Sequence, residues 1–262
     1  MTDAQKAQED HDLHDPTAYG ARIADDYDRL YTDTLDTEGA VALLAELAGA
    51  GPVLEWGVGT GRLAVPLAQR GLAVHGLDSS PDMLDRLHTK PGGERVRTSQ
   101  GDFECAHVDG GPFALAVLAF NTVFALPSQD AQVRCFQNTA RHLAPGGRFV
   151  VEAWVPQPER FDAKGEAVLL RHLSEDHVSL DVARIDPVTQ RMQTTQVSLS
   201  DGQVRLHPAN HRYAWPAELD LMARLAGMAL EHRWADWRKA PFTEASAGHV
   251  SVYRLSGPAV GR

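Results

Sequence analysis

The chain has 262 residues, 43% of them hydrophobic and 23% charged, the balance of an ordinary globular protein with a full core. A net charge of −10 argues against a phosphate-tracking nucleic-acid binder, which needs a basic stripe. Two cysteines, Cys105 and Cys135, have no paired His or Cys at ligand spacing. With no apolar run of about 18 residues and no signal-like start, a reduced, cytoplasmic protein without metal or membrane span is expected.

Residues 1–15 are polar and aperiodic, which predicts a flexible tail. Tyr19, Ile23, Tyr27, Leu30 and Tyr31 fall at helical spacing. Val41, Leu44 and Leu47 mark a second helix over 36–49, with Gly49 and Gly51 beyond its end. From residue 52 strand and helix alternate: strand 52–56, helix 61–70, strand 72–77, helix 81–89 capped by Ser80 ahead of Pro81, and a third strand over 95–99. The apolar run 113–120 lacks alternation and reads as a strand buried on both faces. A helix over 128–143, stopped by Pro145-Gly146-Gly147, leads to a strand over 148–154. Repeats of this length imply a parallel sheet covered on both sides.

The period then changes to two, in segments 168–172, 178–182, 192–199 and 204–207 separated by Asp186-Pro187 and Asp201-Gly202. Three or four antiparallel strands inserted after the fifth sheet strand are predicted. A helix over 216–227 and two strands, around 229–237 and 249–255, close the chain. The domains expected are thus a tail (1–15), a core with N-terminal helices (16–154), an insert (155–214) and a closing helix with strands (215–262).

The most telling stretch is Val53-Leu54-Glu55-Trp56-Gly57-Val58-Gly59-Thr60-Gly61-Arg62. A strand ends in an acid, and three alternate glycines let the backbone approach a ligand at positive φ. The following helix aims free N–H groups at whatever lies there. A carboxylate before the glycines repels a pyrophosphate and suits a ligand with a positive charge or hydroxyl donors. A second acid, Asp78, closes the next strand. The chain here resembles the class I S-adenosylmethionine-dependent methyltransferases, of the bacterial small-molecule type. Residues 19–255 share the resemblance, most strongly at 53–103 and 113–154.

That resemblance implies a Rossmann-like, seven-stranded α/β fold, with a small antiparallel insert after the fifth strand and two closing strands joined by a tight connection, and a site for S-adenosylmethionine. Glu55, Gly57, Gly59 and Gly61 match the family's acid and three glycines and meet the methionine end. Asp78, followed by Ser79, stands where the ribose-binding acid stands; capping of the next helix is its other reading. Gly101-Asp102-Phe103 matches the adenine contacts, and Met83 packs on the adenine face or in the core. Phe120 and Asn121 end the fourth strand, where the methyl group meets the acceptor. Tyr19, Tyr27 and Tyr31 close over the cofactor, with core packing as the alternative.

The acceptor pocket is expected between the carboxyl end of the sheet and the insert, edged by Asn121, Trp154, His172, Tyr213 and His249, with the loop 243–248 as a gate. The acceptor implied is a small molecule methylated on nitrogen or oxygen, by a monomer or homodimer. Of the rivals, a nicotinamide dehydrogenase wants glycine at position 62, which is Arg62. A base-modifying methyltransferase wants an Asn/Asp-Pro-Pro-aromatic turn where Asn121-Thr122-Val123-Phe124 stands. A protein that binds the cofactor without transferring the methyl shares all these motifs and stays open.

Overall fold

The structure is a computed structural model that describes Ala24, Asp28, residues 35–200 and residues 202–257. The tail, most of the helix expected over 19–31, and Tyr19, Tyr27 and Tyr31 lie outside the described residues.

Helix α1 (Thr37–Ala48) starts at Asp36, whose side chain accepts from the Gly39 N–H, so an orphan donor is satisfied as the chain turns in. Strand β1 (Val53–Trp56), helix α2 (Ala64–Gln69), strand β2 (Val74–Asp78) and helix α3 (Pro81–Thr89) follow. Ser80 caps α3 through the Met83 N–H, with Pro81 in the first turn. Strands β3 (Arg97–Gln100) and β4 (Phe113–Leu118), helix α4 (Gln129–His142) and strand β5 (Leu143–Trp154) complete the alternating half. Helix α2 is shorter than expected because the glycine turn occupies the chain as far as residue 63. Strand β5 is longer, since its pairing to β4 already starts at Leu143.

Strands β1 to β5 pair in parallel, while β11 (Gly248–Leu255) runs antiparallel to β5 and β10 (Met228–Trp234) antiparallel to β11. The seven-stranded order is β10-β11-β5-β4-β1-β2-β3. Alternate residues of the strands feed opposite cores. Leu54, Trp56, Ala116, Phe149 and Tyr253 pack toward α4 and toward helix α5 (Pro216–Leu225). Val53, Val117, Val150 and Val252 pack toward α1 and α2. The sheet is therefore buried on both faces, as a parallel sheet must be.

Four antiparallel strands make the insert after β5: β6 (Glu166–Leu173), β7 (His177–Asp186), β8 (Arg191–Ser200) and β9 (Gln203–Arg212), in the order β6-β7-β8-β9. One expectation fails. The closing strands are not tightly joined: residues 235–247 run between them. That segment is pinned down, with Arg238 on Asp36 at 2.7 and 2.9 Å, Lys239 on Glu46 at 2.7 Å, and the Trp237 indole donating to Glu152 at 2.6 Å.

Candidate functional site

The carboxyl ends of β1, β2, β4 and β5 meet at the glycine turn, where ligands bind in open parallel sheets. Gly57, Gly59 and Gly61 all have positive φ, at 65°, 53° and 80°. A Cβ on Gly57 would lie 2.7 Å from Thr122 Cγ2, whereas one on Gly59 would meet nothing within 4 Å. Gly57 thus lets the β1 and β4 turns close together, and Gly59 faces open space. The Gly59 N–H donates to Asp78 Oδ2 at 2.8 Å, and Asp78 Oδ1 accepts from the Ser80 N–H at 2.9 Å. Asp78 thus shapes the turn and the approach to α3, whose cap is Ser80, and keeps lone pairs on both oxygens. Burial raises its pKa, against those N–H donors.

Glu55 is only 5% exposed, and its Oε2 has no hydrogen-bond partner. Burial pushes its pKa up to about 8, opposed by the Arg62 charge and the Ala64 N–H. A buried, unpartnered carboxylate oxygen beside a bare backbone cradle is what a cationic ligand group would satisfy. The donor set fits S-adenosylmethionine: Glu55 toward the ammonium, Asp78 toward the ribose hydroxyls, the glycine turn against the methionine backbone.

Sequence reasoning missed the supports of this cradle. Thr60 donates to Asp28 at 2.7 Å, and Lys90 reaches both Thr60 (2.9 Å) and Asp28 (2.6 Å). At the end of β4, Phe120 and Asn121 have φ of 49° and 63°, a conformation that costs about 1–3 kcal/mol for each non-glycine residue. Glu152 holds them there. Its Oε2 accepts from the Phe120 N–H at 2.7 Å, its carbonyl accepts from the Asn121 N–H at 3.0 Å, and its Oε1 takes the Trp237 indole. The missed signal was an acid inside the apolar strand 149–154, the pattern that singled out Glu55. Arg62 lies 6.0 Å over the Phe120 ring.

Gly101 donates its N–H to the Asp78 carbonyl, which sets Asp102 and Phe103 beside β2. Asp102 Oδ1 accepts from the Glu104 N–H, and Asn138 ties the loop down through the Phe103 and Ala106 carbonyls. Ser79 is half-buried and its carbonyl accepts from Gln100; Met83 is buried. Trp56 is a core residue, donating to Thr139 at 2.9 Å.

The acceptor candidates divide. Asn121 Oδ1 accepts from the Trp154 N–H at 2.7 Å, and the Trp154 ring stands 6.0 Å from Tyr213 and 4.7 Å from Phe124. Trp154 and Tyr213 line a narrow crease with Pro156, Phe161, Ile185 and Met192, where the insert meets the core. His249 pairs across from Ala153, next to Trp154, but is buried: Nδ1 contacts Ser251 Oγ at 2.9 Å, Nε2 has no partner, and burial lowers its pKa to about 4. His172 does not join them. It sits opposite Ser179, exposed, seven ladder positions from Asp186 at the core end, or roughly 23 Å.

Among the described residues no cluster of three or more His, Cys, Asp or Glu could hold a metal, and no helix is long and apolar enough to cross a membrane. A methyltransferase-domain family model matches residues 53–147. The search of curated proteins gives no significant match. The solved CcbJ methyltransferase from Streptomyces caelestis is 41% identical, with a TM-score of 0.86, over 93% of this chain and 100% of that one. A S-adenosylmethionine-dependent methyltransferase from Clostridium acetobutylicum shares the fold at 14% identity and TM-score 0.76, over 90% of this chain and 99% of that one. So does a cofactor-bound amino pentose methyltransferase from Micromonospora echinaspora, at 21% and 0.60, over 98% of both. The chain belongs to the S-adenosylmethionine-dependent methyltransferases.

Proposed function

We propose that the protein transfers a methyl group to a nitrogen or oxygen of a small-molecule acceptor, in the tailoring of a secondary metabolite. S-adenosylmethionine supplies an activated methyl on a sulfonium with its leaving group built in. What the chain must add is alignment and exclusion of water, since a well-held pair gains about 7–11 kcal/mol over free encounter. Glu55 and Asp78 fix the cofactor's two polar ends, and the Phe120-Asn121 turn, clamped by Glu152, forms the wall between donor and acceptor. Trp154 and Tyr213, with Asn121 at their edge, offer an aromatic crease under the insert (155–214) for the acceptor.

The orphaned Glu55 oxygen, two residues before the glycine turn, carries the cofactor half of this reading. For the acceptor half, support comes from two methyltransferases that share the fold, the amino pentose enzyme from Micromonospora and a sugar N-methyltransferase from Streptoalloteichus. The test is incubation with methyl-labelled S-adenosylmethionine and a panel of amino sugars, phenols and other small amines and alcohols. Labelled product that disappears in Trp154→Ala, with binding of S-adenosylhomocysteine intact, is expected. A protein that binds the cofactor and labels none of these, but labels a protein or nucleic acid, would overturn it.

A further inference from the structure

One face of the insert, shared by Ser179, Asp181 and Ala183, is largely covered: at its near end Ile185 and Met192 pack against the core, and farther out Arg171 meets Asp181 at 2.5 Å and Gln196 meets Ser179 at 3.2 Å. The opposite face is apolar and exposed. Register puts Val168, Leu170 and Leu173 of β6, Val182 of β7, and Val204 and Leu206 of β9 on that one side, through the pairs Val168↔Val182, Leu170↔Leu180, Leu180↔Val197 and Val197↔Leu206. Five of the six are 58% to 67% exposed, and Val182 is 46% exposed. An antiparallel sheet with one covered face normally covers its apolar side.

We propose that this face is the contact between two copies of the chain, sheet packed on sheet about a two-fold axis. The area argues for a second copy. Six side chains exposed to this degree leave on the order of 600 Å² of apolar surface per copy, at the top of what a monomer shows. Two copies face to face remove on the order of 1,200 Å², where stable specific interfaces begin, before any polar rim is counted. Charge argues the same way. The chain carries −10, so two copies repel, but residues 155–214 hold eight acidic and seven basic side chains, one of those ten net charges. On the insert, like copies meet at little electrostatic cost. The Glu166–Arg184 ion pair, at 2.6 Å, stands at the core-side rim of the face, and the ladder below it is uncharged. A two-fold also suits the geometry, because one self-complementary patch serves both partners and sheets stack at a small angle.

The experiment is sedimentation equilibrium of the full chain and of the double variant Leu170→Glu/Leu206→Glu, at about 1–50 μM so that mass action can be followed. The parent should sediment at twice the mass of one chain. The variant should sediment as a monomer, with melting temperature and S-adenosylhomocysteine affinity preserved, since both positions face solvent in a single copy. Should the variant fold poorly, Val204→Lys alone, opposite the same patch on the partner, should raise the dimer dissociation constant at least tenfold. A parent that stays monomeric throughout, or a variant that still dimerises, would overturn the proposal. A monomeric parent captured by lipid vesicles, or by another protein, would overturn it in favour of that occupant.

Discussion

Glu55 gives the sharpest test of the cofactor site, because its charge should change when the ligand arrives. In the free protein burial holds its pKa at about 8, so at pH 6.5 nearly every molecule carries the proton. The unfolded chain loses that proton near the usual carboxylate value. The folded apo protein binds the extra proton in between, and therefore loses stability as pH rises from about 4.5 to about 8. A ligand ammonium reverses the preference and ionises the group. Binding of S-adenosylhomocysteine at pH 6.5 should then release about one proton, read as heats that vary with the ionisation enthalpy of the buffer. Ionising a group of pKa 8 costs about 2 kcal/mol at pH 6.5 and less than 1 kcal/mol at pH 7.5. Affinity should accordingly rise about fivefold over that interval, allowing for partial loss of charge from the amine. Glu55→Gln keeps the shape and removes the proton: no release, no rise with pH, and binding weaker by about 1–2 kcal/mol at pH 7.5. Equal heats in all buffers together with a flat affinity profile would refute the assignment of Glu55 to the ammonium.

Asp78→Ala should weaken S-adenosylhomocysteine by about 2–4 kcal/mol in calorimetry, by removing charge-assisted hydrogen bonds. Because Asp78 also receives the Gly59 and Ser80 N–H groups, the melting temperature should fall too, and Asp78→Asn should recover part of the stability but less of the affinity. Gly57→Ala places a methyl 2.7 Å from Thr122 Cγ2 at a φ of 65°, and should cost about 1–2 kcal/mol in chemical denaturation with loss of cofactor binding; Thr122→Ser alongside it should return only the steric part. Arg212, buried among Gln132, Gln190 and Glu218, joins the foot of the insert to α4 and α5. Arg212→Met leaves Glu218 without its charge partner and should cost about 3–5 kcal/mol in stability. Burial pulls the Glu218 pKa up, but hydrogen bonds from Gln190, Arg212 and Gln129 outweigh it and lower the value. That stability is present at neutral pH and lost as pH falls below the usual glutamate value, so an acid melt of the variant should be flatter than the parent's.

The seven-stranded core was legible because each strand and helix carries its own local mark. Glu55 and Asp78 stand at strand ends, Ser80-Pro81 opens a helix, and Gly49 follows the last residue of another. The insert announced itself by a change of period, yet period two says only that faces alternate, and cannot say which face meets the core. Here the side that meets the core does so through Ile185 and Met192, and farther out the same side carries Arg171–Asp181 and Gln196–Ser179. Nor does the period say how far out along the ladder His172 lies; the register puts it opposite Ser179, far from Asp186 at the core end. His249 stands at the right strand end but is buried, with the Phe242 ring 6.2 Å away in a segment that has no periodic signal. Glu152 and Lys90 act across 32 and 30 residues of sequence, on Phe120 and Thr60, and no local pattern encodes such pairs.

Those long-range pairs share one physical role. Phe120 and Asn121 sit in left-handed backbone, which costs the aromatic residue more than the asparagine, at the turn proposed to stand between donor and acceptor. Three hydrogen bonds fix them there: Glu152 accepts from both N–H groups, and the Asn121 side chain accepts from Trp154. Trp237 then anchors Glu152 to the segment 235–247, which Arg238 and Lys239 fasten to α1. The wall of the site is therefore over-determined from elements that come last in the chain, and this is how strained backbone persists. An in-line displacement gains from that rigidity, because misplacement of the reacting atoms by about 1 Å can cost a hundredfold in rate. Glu152→Gln, which keeps the acceptor oxygen but turns the other atom into a donor facing the Trp237 N–H or the Phe120 N–H, should lower kcat more than it weakens the cofactor. Equal losses in both would mean that the turn serves the fold alone.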